Sequence, residues 1–202
     1  MSNIDNIYAA EPAAAGSIFV APLGTEGPSM PTPFDELDPA FIDLGEVGED
    51  GFNEVSNRKN DKKRNFGGRV VKVLQTEYDN MVELVFLESL NAEVLKAVYG
   101  SANVTVVAAT EEHGTIVEVR KNARRLPHLS WVVDTLDTTL GDGEYTAKYR
   151  SYIPDGQIFE IGDVKVVHTD TIEYKVTIQC FEDESGQHIY TWSDDGRPVA
   201  GS

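Results

Sequence analysis

The side chains that could do chemistry here are four histidines, one cysteine and a large set of carboxylates. His113, His128, His168 and His188 are scattered, with no H-x-x-x-H or H-E-x-x-H spacing. No two imidazoles are therefore placed on one helix face, as a zinc site built that way requires. Cys180 stands alone, which excludes an intrachain disulfide and argues against a thiolate metal site. Asp134 with Asp137, or Glu182 with Asp183, supply the residue type of a glycosidase acid and base. They lie near expected turns, where a carboxylate more often binds backbone N–H groups. The acidic run Asp43 to Glu54 faintly resembles a calcium loop. It lacks the Asp-x-Asp-x-Asp-Gly order and the glutamate at the twelfth position. There is no G-x-S-x-G elbow, Walker loop or G-x-G-x-x-G, and Gly141-Asp142-Gly143 reads as a hairpin turn. No catalytic, cofactor-binding or metal-binding residue is assigned, and the chain reads as a non-enzyme.

Composition fits a folded domain. The 202 residues are 41% apolar and 25% charged, enough to build one core without staples. The formal net charge of −17 argues against general nucleic-acid binding, which needs Lys and Arg to replace phosphate counterions. The N-terminal MSNIDNIYAAEPAAAG has no basic residue and no apolar core of signal-peptide length, and no stretch approaches the roughly 20 apolar residues of a membrane span. The expectation is a soluble, cytoplasmically made protein without a membrane partner. Charge is also unevenly distributed. Residues 1–57 hold eleven acidic side chains and no Lys or Arg, whereas residues 58–72 hold seven of the 17 basic ones and a single acid, Asp61. Such a run is either a solvated loop or a contact segment that seeks an acidic surface on a neighbour.

The elements are mostly strands. Residues 170–181 alternate, with Ile172, Tyr174, Val176, Ile178 and Cys180 on one face. Residues 145–153 alternate as well, and Ser17 to Ala21 is a short apolar candidate. Further strands are expected at 41–47, 66–77, 80–88, 103–109, 114–120, 129–136, 157–167 and 188–192. Turns are expected at Tyr78-Asp79-Asn80, Glu111 to Gly114, Asp155-Gly156 and Glu182 to Gly186. One helix is expected from Asn91 to Tyr99, capped by Ser89 or Asn91 and stopped by Gly100. The fold class is mainly β: a two-sheet sandwich or barrel with one short flanking helix. Residues 1–40, rich in Pro, Ala and Gly, read as an extended arm or loop. The link Gly48 to Asn65 exceeds the roughly 12–15 residues of an ordinary connection. It is expected to be a long hairpin loop at 48–65 that leaves its own subunit, with Glu49, Asp50, Phe52, Arg58, Lys59, Lys62, Lys63 and Arg64 as contact residues.

Residues 41–100 resemble the major tail proteins of long-tailed phages (siphoviruses), especially those of actinobacteria. The residues that carry the resemblance are Gly45-Glu46-Val47-Gly48-Glu49-Asp50-Gly51, then Gly68-Arg69-Val70-Val71, then Glu93-Val94-Leu95 and Val98-Tyr99-Gly100. It implies a single tail tube domain over 1–202, with no C-terminal immunoglobulin-like domain. It implies a virion protein whose copies form hexameric rings, stacked head-to-tail into the tube through which genomic DNA leaves without specific binding. Partners would be further copies, the tail terminator, the tape measure and the distal tail proteins. Two alternatives stand beside it. One is the tube of a contractile secretion or tailocin system, which shares the fold. The other is a carbohydrate- or receptor-binding sandwich using Tyr145, Tyr149, Tyr152 and Trp131.

Overall fold

Alternation of apolar and polar residues builds most of the molecule. A computed structural model describes residues 4–13, 17–141 and 145–198. Among these, the strands are β1 (Glu11–Pro12), β2 (Ile18–Pro22), β3 (Ile42–Asp43), β4 (Val47–Arg64), β5 (Val70–Phe86), β6 (Val104–Val107), β7 (Ile116–Val119), β8 (His128–Gly141), β9 (Thr146–Ile161), β10 (Tyr174–Phe181) and β11 (Tyr190–Asp194). One α-helix, α1, spans Ala92–Tyr99. The large sheet runs β3-β2-β8-β9-β10-β5-β4, with β1 beside β8 and β11 beside β9. Its path is open, so the barrel does not close. The second sheet is the antiparallel β6–β7 ribbon. The expectation of a mainly β, two-sheet fold with one helix holds.

Strand β10 shows why the sheet packs as it does. Val176, Ile178 and Cys180 are buried on one face, as the period of two requires. The same face of β5 contributes Val82, Leu84 and Phe86, and β8 contributes Trp131 and Val133. Helix α1 covers it. Asn91 starts the helix, its Oδ1 accepting from the Glu93 amide at 2.9 Å, so Asn91 rather than Ser89 is the cap. Val94, Leu95, Ala97, Val98 and Tyr99 are buried against the sheet, with Val104, Val117 and Val119 of the ribbon at the flank.

The opposite face is covered by a different part of the chain. Phe19, Ala21, Val132 and Tyr152 meet Leu37, Ala40 and Phe41. The proline-rich segment thus lies along the sheet, and Arg150 fastens it. Its guanidinium donates to both oxygens of Asp134 at 2.6 Å and to the carbonyls of Pro33 and Asp35 at 2.8 and 2.9 Å. Arg150 and Ser151 are therefore buried although the simple alternation of 145–153 places Arg150 on the wet side. This half of β9 is covered on both faces.

Two expected turns are continuous strand instead. Tyr78-Asp79-Asn80 lies inside β5, and Asp155-Gly156 lies inside β9. Gly156 is there for space. A Cβ at this position would come within 2.7 Å of Trp131 Cδ1 and 2.9 Å of Ile178 Cγ2, and the Trp131 Nε1–H donates to the Gly156 carbonyl. The strand expected at 157–167 ends at Ile161, and the one expected at 41–47 breaks between Asp43 and Val47. The expected turn at Gly141-Asp142-Gly143 falls mostly outside the described residues. Gly156→Ala should overpack the core and destabilise the fold by about 1–3 kcal/mol in urea unfolding; an unchanged midpoint would show that the Trp131 ring can retreat.

Candidate functional site

The pairing of β4 with β5 outruns the rest of the sheet. β10 accompanies β5 only from Phe86 back to Asn80, opposite Cys180. Beyond that point β4 and β5 pair with each other alone, from Asn57 opposite Asp79 to Arg64 opposite Val70. Ten residues of β5 project this way, about 30 Å at the rise of an extended strand. The expected link at 48–65 is therefore not a loop. It is one arm of a long hairpin, and residues 70–79 are the other arm.

The hairpin's root is tied to the body by polar contacts. Ser56 Oγ donates to Asn80 Oδ1 at 2.6 Å, Asn80 Nδ2 donates to the Tyr78 hydroxyl at 3.0 Å, and Gln179 Nε2 reaches the Asn80 carbonyl. Arg58 lies over the Tyr78 ring at 4.4 Å, and His188 meets the same ring edge-on. At the tip, Asn65 and Arg69 bond through their backbones, Asn65 Oδ1 accepts from the Arg69 amide, and Arg64 donates to the Gly68 carbonyl. Gly68 takes φ +81°, a conformation that other residues resist. This turn holds Phe66 wholly in solvent, at 111% relative exposure, with Val71 and Val73 also exposed nearby.

The eight expected contact residues separate along β4. Arg58 and Lys59 stand near the root and Lys62, Lys63 and Arg64 at the tip. Glu49, Asp50 and Phe52 sit at the far end, where the pairing steps from Val47 opposite Phe86 to Phe52 opposite Leu84. The extra residues bulge outward. They wall a cleft of about 370 Å³ with Glu11, Glu46 and Val47. The exposed ion pairs on the arm, Lys59–Glu77 and Lys63–Asp61, are screened by water and hold it only weakly. Among the described residues, no carboxylate pairs with Lys62, Arg64, Arg69 or Lys72. Phe66 is the residue that the charge pattern alone hid. Its signal is an aromatic at the centre of a basic, glycine-containing stretch.

The residues with chemical potential have structural partners. Asp134 holds Arg150. Asp183 accepts from the Ser185 and Gln187 amides and from the Tyr190 hydroxyl. His128 contacts Asp155 at 2.6 Å, and His188 Nδ1 contacts the Cys180 carbonyl. Burial pushes the Cys180 thiol up to about 12, which leaves no thiolate for nucleophilic work at neutral pH. No group of three candidate metal ligands exists among the described residues. The aromatics of the binding-module alternative do not form one platform. Trp131 is fully buried, Tyr149 packs against Tyr8, and Tyr152 lies beneath Gly27 and stacks on Tyr190, which in turn stacks on Trp192.

The family model for phage tail tube proteins matches residues 4–200. The chain belongs to the phage tail tube protein family. No curated protein matches it. In this tail tube family member the hairpin projects beyond the core, and the cleft opens at the far end of β4, where Val47 and Phe52 pack against the core from one side.

Asp137 holds the backbone just before Ala10 and Glu11, two residues that line the cleft. Its carboxylate accepts from Thr139 Oγ1 at 2.6 Å and from the Ala9 amide at 2.7 Å, just before β1. The Thr139 hydroxyl first, then the Ala9 amide, hold its pKa below the usual carboxylate range. A lowered folded-state pKa stabilises the fold above the unfolded value of about 4, and that contribution fades as pH falls through the folded value. The hydrogen-exchange protection factor of the Ala9 amide should stay level from neutral pH to about pH 4 and drop below it. Asp137→Asn should remove that pH dependence.

Proposed function

We propose that this tail tube protein assembles into hexameric rings stacked head-to-tail, and that the stack is the conduit for DNA ejection. The observation that carries the reading is the β4–β5 hairpin. It buries nothing of its own chain beyond Tyr78, yet it is a regular ribbon with a fastened root and a defined turn. A two-stranded ribbon in water is marginal by itself, so an extension of this length gains most from contact with another copy. Its basic residues face a strongly acidic rest of the chain, so one copy's arm is attracted to the body of the next. The free edge of β4 gives a second route to pairing between neighbouring copies.

The same acidity suits a lumen that lets DNA slide. Like charge discourages phosphate binding, within about 8 Å at physiological salt. In this reading genomic DNA passes without specific contacts, and the protein catalyses nothing. The tail terminator, tape measure and distal tail proteins contact the ends and the bore of the tube. The subunit is made in the host cytoplasm and ends in the virion tail. The long arm between rings would be supplied by Arg58, Lys59, Lys62, Lys63 and Arg64, and its receiving surface by Glu49, Asp50 and Phe52.

Replacing residues 59–77 by Asn-Gly joins Arg58 to Tyr78 through a two-residue hairpin turn. The product should remain a folded monomer, with a cooperative melt, and form no tubes by negative-stain microscopy; tubes of normal length would remove the arm from assembly. Lys62→Glu, Lys63→Glu and Arg64→Glu together should weaken assembly more at low salt than at high salt, as measured by sedimentation across an ionic-strength series.

A further inference from the structure

Phe66 and the acidic cleft lie at opposite ends of the same strand. From Phe52 to Arg64, β4 covers about 40 Å. The tip carries an exposed aromatic ring within a few residues of Lys62, Lys63, Arg64, Arg69 and Lys72. The cleft pairs two half-buried apolar side chains, Val47 and Phe52, with the carboxylates of Glu11, Glu46, Glu49 and Asp50. None of these carboxylates has a cationic partner among the described residues. Polarity and charge are therefore complementary between two sites that one molecule cannot bring together.

We infer that Phe66 of one copy seats in this cleft of the next copy, with the basic residues around it engaging Glu11, Glu46, Glu49 and Asp50. The inference rests on the tube reading above and names the contact that reading leaves open. A volume of about 370 Å³ falls in the range of pockets that take whole small molecules, so it has room for one benzyl group. A central aromatic anchored in a pocket and rimmed by charge is the arrangement that dominates interface energetics. The two halves of the contact are different surfaces at opposite ends of a strand. The contact joins unlike surfaces, so it repeats head-to-tail from copy to copy unless two copies exchange arms reciprocally. Repeated copy after copy, it propagates along the strand direction, which is what stacking rings needs. A second acidic cleft, of about 450 Å³ and lined by Glu26, Asp35, Glu36 and Asp38, is a poorer seat. It already contains the Arg150 guanidinium.

The test uses the full chain with Gly67→Cys at the tip, which keeps Phe66. A Cβ at Gly67 would meet Asn65 Oδ1 at an ordinary 3.6 Å, the position has no left-handed backbone requirement, and Cys180 is buried and silent. The second cysteine is Ala10→Cys in the proposed cleft or Ser29→Cys in the other. Assembled protein is treated with a short bismaleimide. The Gly67→Cys/Ala10→Cys chain should give an open-ended ladder of dimers, trimers and higher species on a denaturing gel, and Gly67→Cys/Ser29→Cys should give none. Phe66→Ala should raise the concentration needed for assembly roughly 30-fold, and Phe66→Trp should restore it. Tubes with a ladder only from Ser29→Cys, tubes with no ladder from either pair, or tubes unaffected by Phe66→Ala would each overturn this contact while leaving the tube reading intact. Failure of the wild-type chain to form tubes at all would overturn that reading, and this contact with it.

Discussion

Antiparallel pairing between β4 and β5 continues past the last residue that any other strand supports. Everything peculiar to this molecule follows from that mismatch in length. Inside the sheet, from Phe86 to Asn80, β5 is held on both sides and its inner face is dry. Outside, the same strand has one partner and no dry face. A ribbon in that state would fray or pair indiscriminately. Its order is borrowed from the root, where Ser56, Asn80 and Tyr78 bond to one another and Arg58 and His188 bracket the Tyr78 ring. Lysines and arginines along the arm keep its open edge from meeting a like edge. They also give it a preference for acidic surfaces.

The body is organised to present such surfaces without coming apart under its own repulsion. The acidic residues from Glu11 to Glu54 lie largely on exposed loops and strand ends, where water screens them. The exception is at Arg150. There a buried guanidinium gives four of its five planar N–H donors to Asp134 and to two backbone carbonyls of the proline-rich segment. Removing one member of such a buried pair leaves an uncompensated charge, so the pair's strength lies in specifying where the segment lies more than in net stability. The covering segment and helix α1 then leave the sheet's two faces differently clothed, one by a helix and ribbon and one by a proline-rich coil.

Much of the fold was legible in the sequence, for identifiable reasons. Strand β10 announced itself because its two faces differ in polarity at period two, and α1 because Asn91, Gly100 and an apolar stripe coincide. The turns misread at Tyr78-Asp79-Asn80 and Asp155-Gly156 have turn-forming residues for other reasons. Asn80 sits there to bond Ser56 and Tyr78, and Gly156 to make room for Trp131. Neither reason is local, so no window of neighbouring residues contains it. Phe66 carries no such signal, because a single aromatic in a basic stretch has no periodicity to mark it.

By itself the sequence determined the class of the molecule: a β-rich chain with one helix, no constellation for catalysis, an acidic front and a concentrated basic segment. Those properties are sums or short-range patterns, and composition and period suffice to carry them. Only the tertiary structure decided that residues 47–64 are a strand, that the basic segment is the outer half of a hairpin, and that Glu49, Asp50 and Phe52 stand about 40 Å from Lys62, Lys63 and Arg64. The physical reason is that a strand wet on both faces has no hydrophobic period. Its extended shape comes from hydrogen bonds to a partner 6 to 39 residues away in the chain, and such pairing leaves no trace in either strand alone.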